Sequence, residues 1–197
     1  MTQELEIEFK NLLTKEEFSD LCLYFNLSDE KFITQENHYF DTPTFSLKEK
    51  GAALRIRQKK QKNILTLKEP AEIGLLETHQ PLNTEEVEIA LQSSILPKSG
   101  PVIERLTYLN INIESIQYFG SLTTNRAETH YKNGLLVLDH SRYLNKEDFE
   151  VEFEVQDEKL GKKQFHSLLQ MHSIPLRKTE NKIKRFYLAS KKNKGEL

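Results

Sequence analysis

A single cysteine, Cys22, stands among the 197 residues of this chain, so no internal disulfide framework and no cysteine-rich zinc site can be built from it. Long apolar runs are missing as well, and none approaches the roughly 20 residues needed to cross a bilayer. The first residues, Met1-Thr2-Gln3-Glu4, carry neither the basic nor the apolar region of a secretion signal. These absences point to a reduced compartment, the cytoplasm, and away from any membrane. Charge of one sign is not in large excess: the net charge of −2 argues against a dedicated nucleic-acid binder. What is present is 37% apolar and 29% charged residues, the balance of a soluble globular protein with a large polar share. The charges are segregated. Basic residues crowd into 55–62 and 177–194, carboxylates into 4–8 and 147–158.

No repeat, low-complexity segment or Pro/Gly-rich linker divides the chain. Residues 1–190 are therefore expected to form one domain, with 191–197 a disordered basic tail. Residues 3–10 alternate, with Leu5, Ile7 and Phe9 against Glu4, Glu6, Glu8 and Lys10, which predicts a period-two strand. Thr14-Lys15-Glu16-Glu17 is a capping box that opens a helix striped by Phe18, Leu21, Cys22 and Phe25. A strand over 33–40 stops at Asp41-Thr42-Pro43, and a short helical turn ends at Gly51. Strands over 52–59 and 64–69 make a hairpin about Gln61-Lys62-Asn63, and another strand lies near 74–80. Helices are predicted over 84–93 and 101–109, the second starting at Pro101. Strands over 117–132 and 135–140 meet at Asn133-Gly134, a hairpin signal. A strand over 148–156 then precedes helices over 158–172 and 179–190. The fold class this predicts is α+β, a barrel of mostly antiparallel strands with inserted helices.

The informative pattern is which charges share a strand face. Glu6, Glu8 and Lys10 share one. Arg55 and Arg57 are opposed by Leu54 and Ile56, and Thr66 and Lys68 by Leu65 and Leu67. Glu150, Glu152 and Glu154 are opposed by Phe149, Val151, Phe153 and Val155. For any single strand, one buried and one solvated face is the plainer account. Two features together shift the balance. Consecutive carboxylates on one face repel each other, and the acidic strands are distinct from the basic ones. In a closed barrel whose apolar faces lie under helices, the charged faces line the interior, where charges must be paired or bind ions. Divalent metal would suit the carboxylates, and phosphate oxygens would suit the arginines and lysines.

Glu6-Ile7-Glu8-Phe9-Lys10 matches the ExExK signature of the CYTH superfamily, the triphosphate tunnel metalloenzymes. Further matches follow in order: Tyr39-Phe40-Asp41-Thr42-Pro43, Leu54-Arg55-Ile56-Arg57, Leu65-Thr66-Leu67-Lys68, Arg126, Leu138-Asp139, Glu150-Val151-Glu152-Phe153-Glu154 and Asn181-Lys182-Ile183. The resemblance spans residues 4–188, and the chain looks most like the CYTH proteins of Gram-positive bacteria. The family includes class IV adenylyl cyclases and several triphosphatases, among them thiamine, inorganic and fungal RNA triphosphatases. The resemblance implies an eight-stranded antiparallel barrel with its active site inside and Mg²⁺ or Mn²⁺ as cofactor. It implies that Glu6 and Glu8 ligate metal with some of Glu150, Glu152, Glu154 and Asp139. Lys10, Arg55, Arg57, Lys68, Arg126 and Lys182 would hold the triphosphate, and Glu77 would be a further acidic position. Lys178 competes with Lys182 for the last basic role, and Lys182 is preferred.

The expected chemistry is metal-assisted phosphoryl transfer to water, which needs positioning and electrostatics but no nucleophilic side chain. The catalytic set is then Glu6, Glu8 and Lys10, and the partner is a small-molecule triphosphate. A class IV-type adenylyl cyclase is the alternative on the same scaffold, although no base-reading motif is evident. A non-catalytic polyphosphate or nucleotide sensor is another, to which two acidic strands would be superfluous. The run Arg55-Ile56-Arg57-Gln58-Lys59-Lys60 lacks the interleaved aromatics of a nucleic-acid module. The six histidines show no close zinc spacing. His38 and His130 lie on predicted strands, where they could face the interior, and Cys22 fits an inert apolar stripe.

Overall fold

A computed structural model of the chain describes residues 2–193. Eight strands carry the fold. β1 (Gln3–Leu13) leads through helix α1 (Lys15–Tyr24) to β2 (Ile33–Asp41), and α2 (Ser46–Glu49) leads to β3 (Ala53–Lys59), β4 (Lys62–Pro70) and β5 (Leu75–Leu82). Helices α3 (Thr84–Ser93) and α4 (Pro101–Tyr108) follow. The chain then returns to sheet as β6 (Gln117–Tyr131), β7 (Gly134–Tyr143) and β8 (Lys146–Val155), and ends in α5 (Glu158–Met171) and α6 (Lys182–Asn193). The strands close in the order β1-β5-β4-β3-β2-β6-β7-β8, an antiparallel barrel. Long β1 helps close it, pairing with β5 through residues 3–6 and with β8 through residues 7–13.

Two compact units make up the chain. One holds the residues up to Glu6 and Gln35–Ser121, the other Ile7–Thr34 and the chain from Leu122 on. In the first, Leu54, Ile56, Leu65 and Leu67 of β3 and β4 form one apolar face. It packs against Leu47 of α2, Val87 and Ala90 of α3, and Val102, Ile103 and Leu106 of α4. In the second, Ala127, Leu136, Leu138, Val151 and Phe153 of β6–β8 pack against Leu21 of α1 and Phe165, Leu168 and Leu169 of α5. Each valine, leucine, isoleucine or phenylalanine among them is worth about 1.5–3 kcal/mol when fully buried. These helices account for the helix-covered face of the sheet, which leaves the other face of the strands as the barrel interior.

The predicted caps form. The Thr14 hydroxyl accepts from Glu17 N (3.2 Å), and the Glu17 carboxylate accepts from Thr14 N (2.8 Å), closing the capping box of α1. The strand stop at Asp41 has a further purpose, since its buried carboxylate accepts from the backbone N–H groups of Thr42, Leu47 and Lys48 and so nucleates α2.

Both hairpin tips lie earlier in the chain than predicted. Tyr131 pairs with Gly134, so the loop is Lys132-Asn133, with Lys132 at φ 51°. Lys59 pairs with Lys62, so the other loop is Lys60-Gln61, with Lys60 at φ 55°. Gly134 is a strand residue, and its lack of a Cβ serves packing, because a methyl there would meet the Glu154 carbonyl and sit 2.7 Å from the Phe153 ring. The last helix begins later than predicted and runs to Asn193, past the boundary expected at residue 190. The remainder of the segment expected as a basic tail lies outside the described residues. No helix among the described residues is long and apolar enough to cross a membrane.

Candidate active site

Residues directly opposed in an antiparallel pair share a face, so the register alone shows where the charges gather. Between β1 and β8, Glu8 opposes Glu154 and Lys10 opposes Glu152. Between β4 and β5, Lys68 opposes Glu77 and Thr66 opposes His79. Arg55 of β3 opposes both Thr66 and Tyr39, Arg57 opposes Asn37, Arg126 opposes Asp139, and Asp139 opposes Glu150. All of these alternate with the apolar residues under the helices. Each therefore lies on the inner face of the barrel, as the alternation in the sequence required.

In the unit that contains β3–β5, Lys68 Nζ donates to Glu6 Oε2 (2.6 Å) and also pairs with Glu77. Burial pushes the Glu77 carboxyl pKa up, but Lys68 and Arg55 outweigh it and hold the group down at about 2. Arg57 Nε donates to Asn37 Oδ1 (3.0 Å). Arg55 Nε is buried with no hydrogen-bond partner among the described residues, a cationic donor left for an incoming acceptor. His79 has its Nδ1 3.0 Å from the Thr66 hydroxyl and its Nε2 3.0 Å from Glu4 Oε1, with Glu77 beside it. That grouping escaped the sequence because Glu4 and His79 are far apart in the chain and only the β1/β5 register joins them.

In the other unit, Arg126 grips Asp139 through two parallel hydrogen bonds, Nε–Oδ1 2.8 Å and Nη2–Oδ2 2.6 Å, and reaches Glu152 Oε2 at 2.6 Å. Lys182, from the first turn of α6, brings Nζ to Asp139 Oδ2 (2.8 Å), to Glu150 Oε2 (3.0 Å) and to Glu152. Arg185, one turn on, pairs with Glu150 and with Asp148 Oδ2 (3.0 Å). Burial opposes the charges of Arg126, Asp139, Glu152, Lys182 and Arg185, but their partners win. Arg126 and Lys182 hold Asp139 below the usual carboxylate range, Lys182 and Arg126 hold Glu152 well below it, and the carboxylates hold Lys182 well above the usual lysine value. Lys178 is exposed, whereas Lys182 reaches the buried carboxylates. Arg185 was missed because a helical arginine after an Asn-Lys-Ile match carries no strand periodicity.

Glu6, Glu8 and Glu154 form a third grouping along β1 and β8, with one carboxylate oxygen from each within 4.8 Å of the others. Lys10 Nζ donates to Glu8 Oε1 (2.8 Å). Burial works against the Lys10 charge, and Glu8 and Glu152 more than restore it. Three hard oxygen donors of this kind suit a divalent cation that keeps open positions for phosphate. Of the six expected metal ligands, the structure thus gathers Glu6, Glu8 and Glu154, and sets Asp139, Glu150 and Glu152 among arginine and lysine. Glu150 Oε1 is buried without a hydrogen-bond partner among the described residues, an oxygen still open to a ligand.

His38 takes no part, since it shares a face with Ile56 and bonds to Gln58 (2.9 Å). His130 shares the face of Arg126 but is exposed near the end of β6. Cys22 packs against the helical core, and burial pushes its thiol up to about 11, which fits an inert residue.

Comparisons with known proteins agree with this architecture. The family model described as CYTH domain matches residues 4–187. "Putative triphosphatase YjbK" of Bacillus subtilis (strain 168) is 54% identical over 193 residues, which cover 98% of this chain and all of that one. A crystal structure from Bacillus halodurans, described as a "putative adenylate cyclase", is 44% identical and superposes with a TM-score of 0.92 over 95% of this chain and all of its own. A Hippeastrum protein described as a "putative adenylyl cyclase" with a dominant triphosphatase activity superposes with a TM-score of 0.77 over 98% of this chain and 97% of its own. At 22% identity it attests the fold alone.

Proposed function

The chain belongs to the CYTH domain family, and from that premise we propose that it is a metal-dependent triphosphatase acting inside its barrel. The observation that carries this reading is the gathering of Glu6, Glu8 and Glu154 on one face of β1 and β8, with Lys10 on the same strand face. A non-catalytic anion receptor has no use for three carboxylates beside its cations, because they would repel the ligand.

In this reading Glu6, Glu8 and Glu154 hold Mg²⁺ or Mn²⁺, and Glu150, through its unpartnered Oε1, with Asp139 and Glu152, offers further oxygen donors. When bound, the metal supplies Lewis-acid polarisation of phosphoryl oxygens and lowers the pKa of a coordinated water. Lys10, Arg55, Arg57, Lys68, Arg126 and Lys182 bind the phosphate chain. Arg55 and Arg57 contribute planar forks that can donate paired hydrogen bonds, and the lysines act as compact point charges. The cations offset charge as the bridging P–O bond breaks and negative charge passes to the departing diphosphate. The carboxylates around Arg126 and Lys182 keep both cations ionised and aimed inward. Water is the nucleophile, and no side chain forms a covalent intermediate.

Incubation of the full chain with inorganic triphosphate, thiamine triphosphate or ATP, each with Mg²⁺, Mn²⁺ or Ca²⁺, tests the reading. Phosphate release that a chelator abolishes is the expected result. Cyclic AMP and diphosphate from ATP would replace the proposal with a cyclase. Tight binding without turnover under every ion would make the protein a sensor.

A further inference from the structure

We propose that Asn11 is a positioning residue, which sets where Lys182 enters the charged interior by clamping the strap that delivers it. The inference rests on the reading of Lys182 as a phosphate-binding residue, but the clamp is visible without it.

Residues 174–181, between α5 and α6, form neither helix nor strand, so no backbone ladder fixes how far along the strap α6 begins. Its fixed points are side-chain hydrogen bonds, most of them to the end of β1, with a pair to Glu17 of α1 and one from Arg185 Nη1 to Glu180 O (2.6 Å). Asn11 lies on the helix-covered face of β1, between Phe9 and Leu13, and is completely buried. Its Nδ2 donates to Pro175 O (3.1 Å) and its Oδ1 accepts from Arg177 N (2.6 Å), so one amide holds the strap as a strand neighbour would. Leu12 N donates to Thr179 Oγ1 (2.9 Å). Arg177 donates to Leu12 O (2.8 Å) and forks onto both oxygens of Glu17 (2.7 and 2.8 Å), tying the strap to the start of α1. Asn181 then caps α6 by accepting from Lys184 N (2.9 Å), and Lys182 follows at once.

This arrangement gives β1 two roles on opposite faces. One carries Glu8 and Lys10 inward, and the other holds the strap whose end carries Lys182 to Asp139, Glu150 and Glu152. Without the ties, the stretch from Arg177 to Lys182 could span about 17 Å when extended. A displacement of an ångström or so is enough to cost a phosphate contact. A buried asparagine that only filled its site could satisfy its amide within β1, as Nδ2 does in part on Leu12 O (2.9 Å), but it would not also need one donor and one acceptor bond to the same strap.

The test compares wild type with Asn11→Ala, Asn11→Asp and Thr179→Val, each first shown to be folded by its melting curve. Lys182 is then probed directly by acylation with an amine-reactive ester and mass spectrometry. In parallel, KM and kcat are measured with inorganic triphosphate and Mg²⁺. Lys182 labelling should rise at least tenfold in Asn11→Ala and less in Thr179→Val, with KM rising several-fold and kcat changing less. Asn11→Asp keeps the acceptor for Arg177 N and should fall between. Adding Lys182→Ala to Asn11→Ala should raise KM no further than Lys182→Ala alone. A lowered melting temperature with Lys182 labelling and KM both unchanged would make Asn11 a merely structural residue and overturn the proposal. Increased labelling in a series in which even the wild type hydrolyses nothing would uphold the clamp and refute the triphosphatase reading.

Discussion

Arg126 and Asp139 oppose each other on β6 and β7 and are joined by two parallel hydrogen bonds, with Asp139 wholly buried. Lys182 leans on the same carboxylate, so Asp139 neutralises part of two cations at once. Removing one partner of a buried ion pair costs about 3–5 kcal/mol, because the charge left behind has no water to turn to. Asp139→Asn is therefore expected to lower unfolding free energy by about that amount, read as a shift of the urea midpoint with an unchanged slope. Arg126→Met added to that background should cost less than it does alone, since the two residues act as one unit.

The same networks fix the response to pH. Glu77, Asp139 and Glu152 hold their protons less tightly folded than unfolded. Their stabilisation is complete above the ordinary carboxylate values, 4.5 for Glu77, and is lost as pH falls through the lowered ones, which for Glu77 is about 2. Lys10 and Lys182 run in the opposite sense. Each is raised above 10.5, so its contribution is full below that value and is lost only as pH climbs past it. Stability should thus be flat from about pH 5 to 9, above which the half-buried Cys22 thiol begins to favour the unfolded chain, and should fall in acid. Glu77→Gln should lower the plateau and flatten the acid limb, as urea midpoints measured from neutral pH downward would show.

Much of this was legible in the chain itself. The period-two alternation of Glu6-Ile7-Glu8-Phe9-Lys10 and of Phe149 to Val155 gave the inner face directly, because a strand has only two faces and helices cover the apolar one. The Thr14 capping box was equally local. What escaped depended on register or on contacts distant in sequence. The earlier position of each hairpin tip follows from strand pairing rather than from the turn residues, so Asn133-Gly134 drew attention to the glycine for the wrong reason. The partition of the carboxylates, with Glu154 beside Glu6 and Glu8 but Glu150 and Glu152 beside Lys182, could not be read from three equivalent glutamates on one strand. It is set by which residue of β1 opposes each and by the arrival of α6.

That partition separates two kinds of variant. Glu8→Gln keeps the shape but removes a hard anionic donor from the trio, and should lower Mg²⁺-dependent phosphate release by about a hundredfold or more. Chelation should abolish the wild-type activity, and added Mg²⁺ or Mn²⁺ should restore it. Arg57→Ala removes a charge-assisted contact worth about 1.5–3 kcal/mol, so KM should rise about tenfold or more while kcat falls less. Steady-state kinetics with inorganic triphosphate distinguishes the two, and a Glu8→Gln enzyme with full activity would sink the metal assignment.

Gly134 tests how tightly the trio depends on the sheet behind it. Its backbone does not need positive φ, since the loop residue with that conformation is Lys132. Its value is the space that it leaves for the Glu154 carbonyl and the Phe153 ring, where a methyl would come within 2.7 Å of the ring. Neither neighbour yields cheaply, because Phe153 is fully buried in the core and the carbonyl belongs to the β8 backbone. Gly134→Ala should cost about 1–3 kcal/mol by overpacking, and the displaced β8 carries Glu154 with it. The variant should therefore bind Mn²⁺ more weakly than wild type under conditions where both are folded, as titration calorimetry would measure.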